Sequence, residues 1–427
     1  MTADSSTAAV PASTFAGVSV ARSTDPDQIG FDPARLARID GHFGRYVDEG
    51  RLAGWQVVVT RRGEVAHSAT YGLRDVEAGV PVEPDTIWRI YSMTKPITSV
   101  AAMMLWEEGR FELNDPISRW LPEFADVRVF DKGSALRAYT VPAVEPVRVW
   151  HLLTHTSGLT YGFAQTSVVD ALYRAAGYDV GVPPGLDLAA ATAGMAKLPL
   201  MFQPGTGWNY GVSTDVLGRL VEVVSGQRLD EFLTERILDP LGMADTRFWV
   251  DEPDAKRLAA LYTPHPATGR VVRADRFGAA ALHRPQCLSG GGGLVSTAAD
   301  YHRFTQLLLR GGELDGVRLL APRTVRYMTR NHLPGGGDLA SFEPEGYAET
   351  VLDGIGFGLG FAVVTDPVPA RVPSSVGEYY WGGLASTAFW VDPVEEITAL
   401  FFTQLMPSST YPLRSQLRQL VYSALVD

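Results

Sequence analysis

Reactive sulfur and lysine are nearly absent from this chain. The single cysteine, Cys287, cannot form an intrachain disulfide, and no C-x-x-C or Cys/His cluster surrounds it to suggest zinc. It is expected as a buried, inert thiol. The eight histidines contain no H-E-x-x-H and no H-x-H pair, so no metal is indicated and no cofactor is called for. Only four lysines occur (Lys95, Lys132, Lys197 and Lys256), and the formal charge is -11, so no basic stripe is available for a phosphate backbone. This argues against nucleic acid as a partner. No stretch approaches the roughly 20 apolar residues that a membrane-spanning helix needs. Residues 1–27 lack a basic n-region and a secretory apolar core, which predicts a loosely held tail on a cytoplasmic protein.

What is present is an ordinary globular composition, 46% hydrophobic and 20% charged over 427 residues, long enough for two lobes and a large core. Leu36, Ile39, Phe43 and Val47 recur at helical spacing before Gly50. Two β-rich runs follow, Trp55 to Thr60 and Val65 to Tyr71, joined by a Gly63 turn. A matching pair, Ser386 to Val391 and Ile397 to Leu405, precedes a last helix over residues 411–426. Strands near both ends predict one α/β lobe, residues 28–112 and 260–427, built from the two termini around an inserted helical lobe, residues 113–259.

Ser92-Met93-Thr94-Lys95 is the one place where a serine stands three residues before a lysine, on one helical face. Such a pair can act as nucleophile and base. Pro96 is tolerated only in a first helical turn, which predicts a helix starting close to Ser92 and puts the Ser92 N–H at a positive helix end, where it can stabilise an oxyanion. Lys95 has to be neutral to take a proton, so it is expected to be desolvated.

Around this motif stand His151-Leu152-Leu153-Thr154-His155-Thr156-Ser157-Gly158-Leu159, then Pro204-Gly205 leading to Tyr210, Pro240-Leu241-Gly242-Met243, and Gly291-Gly292-Gly293-Leu294-Val295-Ser296-Thr297. As an ordered set they resemble the class C β-lactamase-related serine hydrolases over residues 30–425, and most nearly their family VIII carboxylesterases. The resemblance implies an α/β fold of the β-lactamase and penicillin-binding-protein type, a central antiparallel sheet flanked by helices with an inserted all-helical lobe. It implies Ser92 as nucleophile, Lys95 as base and Tyr210 as the proton shuttle to the leaving group. It also implies an oxyanion hole from the backbone N–H groups of Ser92 and Leu384. Where class C enzymes carry Tyr-x-Asn and Lys-Thr-Gly, this chain has Tyr210-Gly211-Val212 and Trp381-Gly382-Gly383. Loss of that lysine removes the cation for a β-lactam carboxylate. Trp381 offers an apolar wall instead, Gly382 and Gly383 let the backbone approach the substrate, and Tyr161 is a further candidate for the wall.

The implied partner is a small-molecule ester, cleaved through an acyl-Ser92 intermediate. An acyltransferase, or an amide or β-lactam hydrolase, would use the same residues, and a binding protein that is acylated without turnover is the reading from another class. Which of Lys95 and Tyr210 is the first base stays open. No G-x-S-x-G exists to pair with His155, so His151 and His155 are expected to be structural. The glycines at 290–293 lack a following Gly-Lys-Ser/Thr and are expected to form a tight turn into a strand. The segments 161–200 and 331–347 are expected as long loops.

Overall fold

The computed structural model describes residues 20–179, 181–342 and 350–427. Its centre is an eight-stranded sheet in the order Ile355–Phe357, Ala362–Val364, Tyr379–Gly382, Ala388–Asp392, Ile397–Phe402, Gly54–Arg61, Glu64–Asp75 and Val80–Pro81. Every neighbouring pair is antiparallel. The two ends of the chain meet at the Gly54–Arg61 and Ile397–Phe402 pairing, with Val58 opposite Leu400. All eight residues of Gly54–Arg61 are buried, which explains its near-continuous apolar run: helices cover both faces. On one face Phe43, from the helix Arg38–Asp48, packs on Phe401 at 4.9 Å between ring centres. On the other, Tyr301 from Ala298–Leu309 packs on Phe389 at 5.2 Å.

The helix Thr94–Glu107 is buried from Thr94 through Leu105. A helix apolar all round has to lie inside the molecule. It packs against Ser213–Ser225 of the middle region, and the buried apolar residues of both regions form one contiguous core. The middle is largely helical, with Val149–Thr154, Ser213–Ser225 and Leu229–Leu233 among its helices.

Three expectations are corrected. The middle is not all-helical, because Arg128–Ser134 and Arg137–Pro142 form a hairpin, tied down where the Phe130 N–H donates to the Leu200 carbonyl at 2.9 Å. The β-rich runs Val127 to Phe130 and Ala138 to Val141 carry that signal. Segment 161–200 is not a long loop: it holds the helices Val168–Ala175 and Leu188–Met195, started by capping Ser167 and Asp187. The tail is also held earlier than expected. Val20 is buried, and the Ser23 N–H donates to the Val65 carbonyl at 3.0 Å. Residues 1–19 and 343–347 of the expected tail and loop lie outside the described residues.

Cys287 is half-buried, and burial, with the carboxylates of Asp215 and Glu222 nearby, pushes its thiol up to about 12. Among the described residues no helix is long and apolar enough to cross a membrane.

Candidate active site

Ser92 sits on a single 3-10 turn, Tyr91–Met93, that runs directly into the helix Thr94–Glu107. Tyr91 has φ 41°, in the left-handed region where a side chain is strained. Its neighbours hold it there: the Ile90 N–H donates to the Leu294 carbonyl at 3.1 Å, and the Tyr301 hydroxyl donates to the Met93 carbonyl at 2.9 Å. Lys95 follows in the first helical turn, and Pro96 falls within that turn, where its missing N–H removes no hydrogen bond.

Lys95 is 2% exposed. Among the described residues its Nζ reaches three oxygens: Ser92 Oγ at 3.1 Å, Tyr161 Oη at 2.9 Å and the Gly291 carbonyl at 2.7 Å. A neutral amine has two N–H donors and one lone pair. As an ammonium, Nζ donates to all three; once it has given up one proton it can keep its bonds to Tyr161 and Gly291 and turn a lone pair to the Ser92 hydroxyl, an arrangement that can take a proton from serine.

The turn of glycines gives Gly291 its place. Asp215, in the first turn of Ser213–Ser225, accepts from Ser289 Oγ at 2.5 Å and from the Gly291 N–H at 3.1 Å, and Thr98 Oγ1 donates to the Gly290 carbonyl at 2.8 Å. A Cβ on Gly291 would stand 2.6 Å from an Asp215 carboxylate oxygen. The turn does lead into a short strand, Val295–Ser296. Sequence reasoning missed that its carbonyl meets Lys95; the only available signal was a glycine run facing a helix that carries a buried acid.

Tyr210 is 3% exposed, and its ring centre lies 4.7 Å from Lys95 Nζ, within cation–π range. The indole N–H of Trp381 donates to its hydroxyl at 3.2 Å. Trp208 lies nearly parallel to the Tyr210 ring, and His155 and Tyr161 pack on it at 5.0 and 5.4 Å. Gly211 permits this approach, since a Cβ there would be 2.3 Å from the Leu159 carbonyl. Trp381, expected as a substrate wall, is 1% exposed and directs its polar edge at Tyr210. Tyr161 is half-buried, stacks on Phe163 at 4.8 Å, and reaches Lys95 with its hydroxyl, a contact not read from the sequence.

Gly382 ends the strand Tyr379–Gly382, and Gly383 packs on the turn before Ser92. A Cβ on Gly383 would sit 2.4 Å from the Ile90 carbonyl. Among the described residues neither the Ser92 nor the Leu384 N–H has a protein acceptor. Leu384 itself joins a small apolar cluster with Tyr91, Ala385 and Met406 beside the site.

His155 caps Val149–Thr154 with φ 57°; burial, and then the charge of Lys95, hold its imidazole well below the ordinary value. His151 is lowered to about 4 by burial and by Arg148, and its Nδ1 accepts the Arg148 N–H at 3.0 Å. Both rings are therefore neutral near pH 7. Among the described residues no group of three or more His, Cys, Asp or Glu side chains could hold a metal ion.

Residues 39–423 match the Beta-lactamase family. Protein Rv1367c of Mycobacterium tuberculosis (strain ATCC 25618 / H37Rv) is 38% identical over 84% of this chain and 88% of its own length. Esterase EstB of Burkholderia gladioli is 34% identical over 94% of this chain and 99% of its own. Among solved structures, EstCE1, described as a hydrolase with promiscuous acyltransferase activity, superposes with a TM-score of 0.77 at 28% identity, covering 91% of this chain and 99% of that one.

Proposed function

Because the chain belongs to the Beta-lactamase family, we propose that it is a serine carboxylesterase acting on small-molecule esters, with Ser92, Lys95 and Tyr210 as its catalytic residues. Neutral Lys95 takes the Ser92 proton as Oγ attacks the ester carbonyl. The tetrahedral oxyanion is received by the N–H groups of Ser92 and Leu384. Collapse expels the alcohol, which is protonated through Tyr210, and leaves acyl-Ser92. Water then enters, gives up a proton to the same Lys95 and Tyr210 pair, and releases the acid.

The observation that carries this reading is the 3.1 Å contact between Ser92 Oγ and the buried Lys95 Nζ. The aromatic surroundings of Tyr210, and tryptophan in place of a third-motif lysine, favour an uncharged acyl group over a β-lactam carboxylate. Acyl transfer to an alcohol is the second reading, supported by the description of EstCE1, because only the acceptor of the acyl group differs.

The test is steady-state release of p-nitrophenol from acetate, butyrate and octanoate esters, beside a chromogenic cephalosporin, with Ser92→Ala as control. Turnover of short esters that vanishes in Ser92→Ala, with little cephalosporin cleavage, is expected. A single burst without turnover, or activity that survives the substitution, would overturn the esterase reading.

A further inference from the structure

Leu384 shares one peptide plane with Gly383, whose carbonyl therefore reports where the Leu384 N–H points. That carbonyl accepts two hydrogen bonds: from the Ser386 N–H at 3.0 Å, closing a turn, and from Arg414 Nη2 at 2.9 Å. The same guanidinium nitrogen donates to the Thr387 carbonyl at 3.1 Å, so Arg414 clamps both limbs of the turn. The 383–384 peptide is trans, and in a trans peptide the carbonyl and N–H point opposite ways. Holding the carbonyl toward Arg414 aims the N–H away from it.

Two further observations single out the guanidinium. Gly382 is shaped around it, because a Cβ there would lie 2.2 Å from Arg414 Cζ. Arg414 also stands in the first turn of the helix Leu413–Tyr422, which sets its guanidinium against the 383–387 turn.

We propose that Arg414 is a positioning residue for the oxyanion hole: its charge-assisted hydrogen bond to the Gly383 carbonyl orients the Leu384 N–H and polarises it as a donor. A cation on the carbonyl oxygen draws electron density through the conjugated amide and strengthens the N–H on the far side. The inference rests on the Leu384 N–H being an oxyanion donor, as argued under the proposed function.

The test separates the two. An acyl-enzyme made from a slowly hydrolysed p-nitrophenyl trimethylacetate with an isotopically labelled carbonyl is followed by infrared difference spectroscopy in the wild type, Arg414→Met and Arg414→Lys. In the wild type the carbonyl band is expected below that of the denatured acyl-enzyme, as hydrogen bonding in the hole requires. In Arg414→Met it is expected to rise toward the denatured value, with kcat down about tenfold, less than the loss of a whole oxyanion donor, and KM nearly unchanged. Arg414→Lys keeps the charge without the planar fork and is expected in between; it supplies the measurement if Arg414→Met does not fold. A lowered wild-type band that is unmoved in the variants, or a loss confined to KM, overturns the role of Arg414 and leaves the hole intact. A wild-type band no lower than the denatured one overturns the oxyanion reading and the inference with it.

Discussion

The Trp381 indole N–H donates to the Tyr210 hydroxyl at 3.2 Å, across 171 positions of sequence, with the two rings 5.2 Å apart. The donor polarises the Tyr210 oxygen, and the tilted rings fix the phenol's direction. Trp381→Phe keeps an aromatic against Phe357 and Tyr210 but deletes the donor. Loss of one neutral hydrogen bond of about 1 kcal/mol predicts a fall in kcat of about fivefold to tenfold, with a shifted pH–rate profile and little change in melting temperature. Steady-state kinetics across pH measures it.

The two tyrosines at Lys95 are expected to differ. Tyr210→Phe removes the proposed proton shuttle and predicts a loss of about 100-fold or more in kcat, the range for a general acid–base group. Tyr161→Phe removes one oxygen at 2.9 Å from Nζ while its stacking on Phe163 can persist, predicting a loss of about tenfold or less. Parallel kinetics on one ester ranks them, and the reverse order would reassign the shuttle to Tyr161.

Gly291→Ala predicts an activity defect out of proportion to stability. The added methyl would meet the Asp215 carboxylate and displace the carbonyl that Lys95 holds at 2.7 Å. Overpacking of this kind costs about 1–3 kcal/mol, which the melting temperature reads, whereas kcat is expected to fall by about 100-fold.

Asp300 supplies a pH-dependent stability term. Burial holds its carboxyl up to about 6, against the lowering effect of hydrogen bonds from Thr246 Oγ1 at 2.9 Å and the Asp245 N–H at 2.8 Å. A folded value above the unfolded one means that the stabilisation is complete below the ordinary 3.8 and is lost as pH rises through about 6. Both bonds end on one oxygen, which asparagine can supply. Urea unfolding of Asp300→Asn beside the wild type between about pH 4 and pH 7 is expected to show a flatter dependence in the variant, by about 2–3 kcal/mol across the window.

The local code was sufficient for much of this molecule. Two β-rich runs and a Gly63 turn specify the first hairpin, Ile39 and Phe43 mark the buried face of the first helix, and the S-x-x-K spacing with Pro96 places Ser92 and Lys95 on adjoining turns. The hairpin at 128–142 is equally marked by its β-rich runs, and the two helices within 161–200 announce themselves by their capping residues. These features depend on neighbours within a few positions, which is why a sequence can carry them.

Contacts across the fold were another matter. That Gly291 offers Lys95 a carbonyl, that Trp381 turns its N–H to Tyr210 instead of lining an open wall, and that Arg414 reaches Gly383 all join segments between 31 and 196 positions apart. Motif spacing holds no record of which carbonyl a turn will present or which way an indole will face. Those are settled when the eight-stranded sheet closes on its helices and close packing leaves each side chain one direction to point.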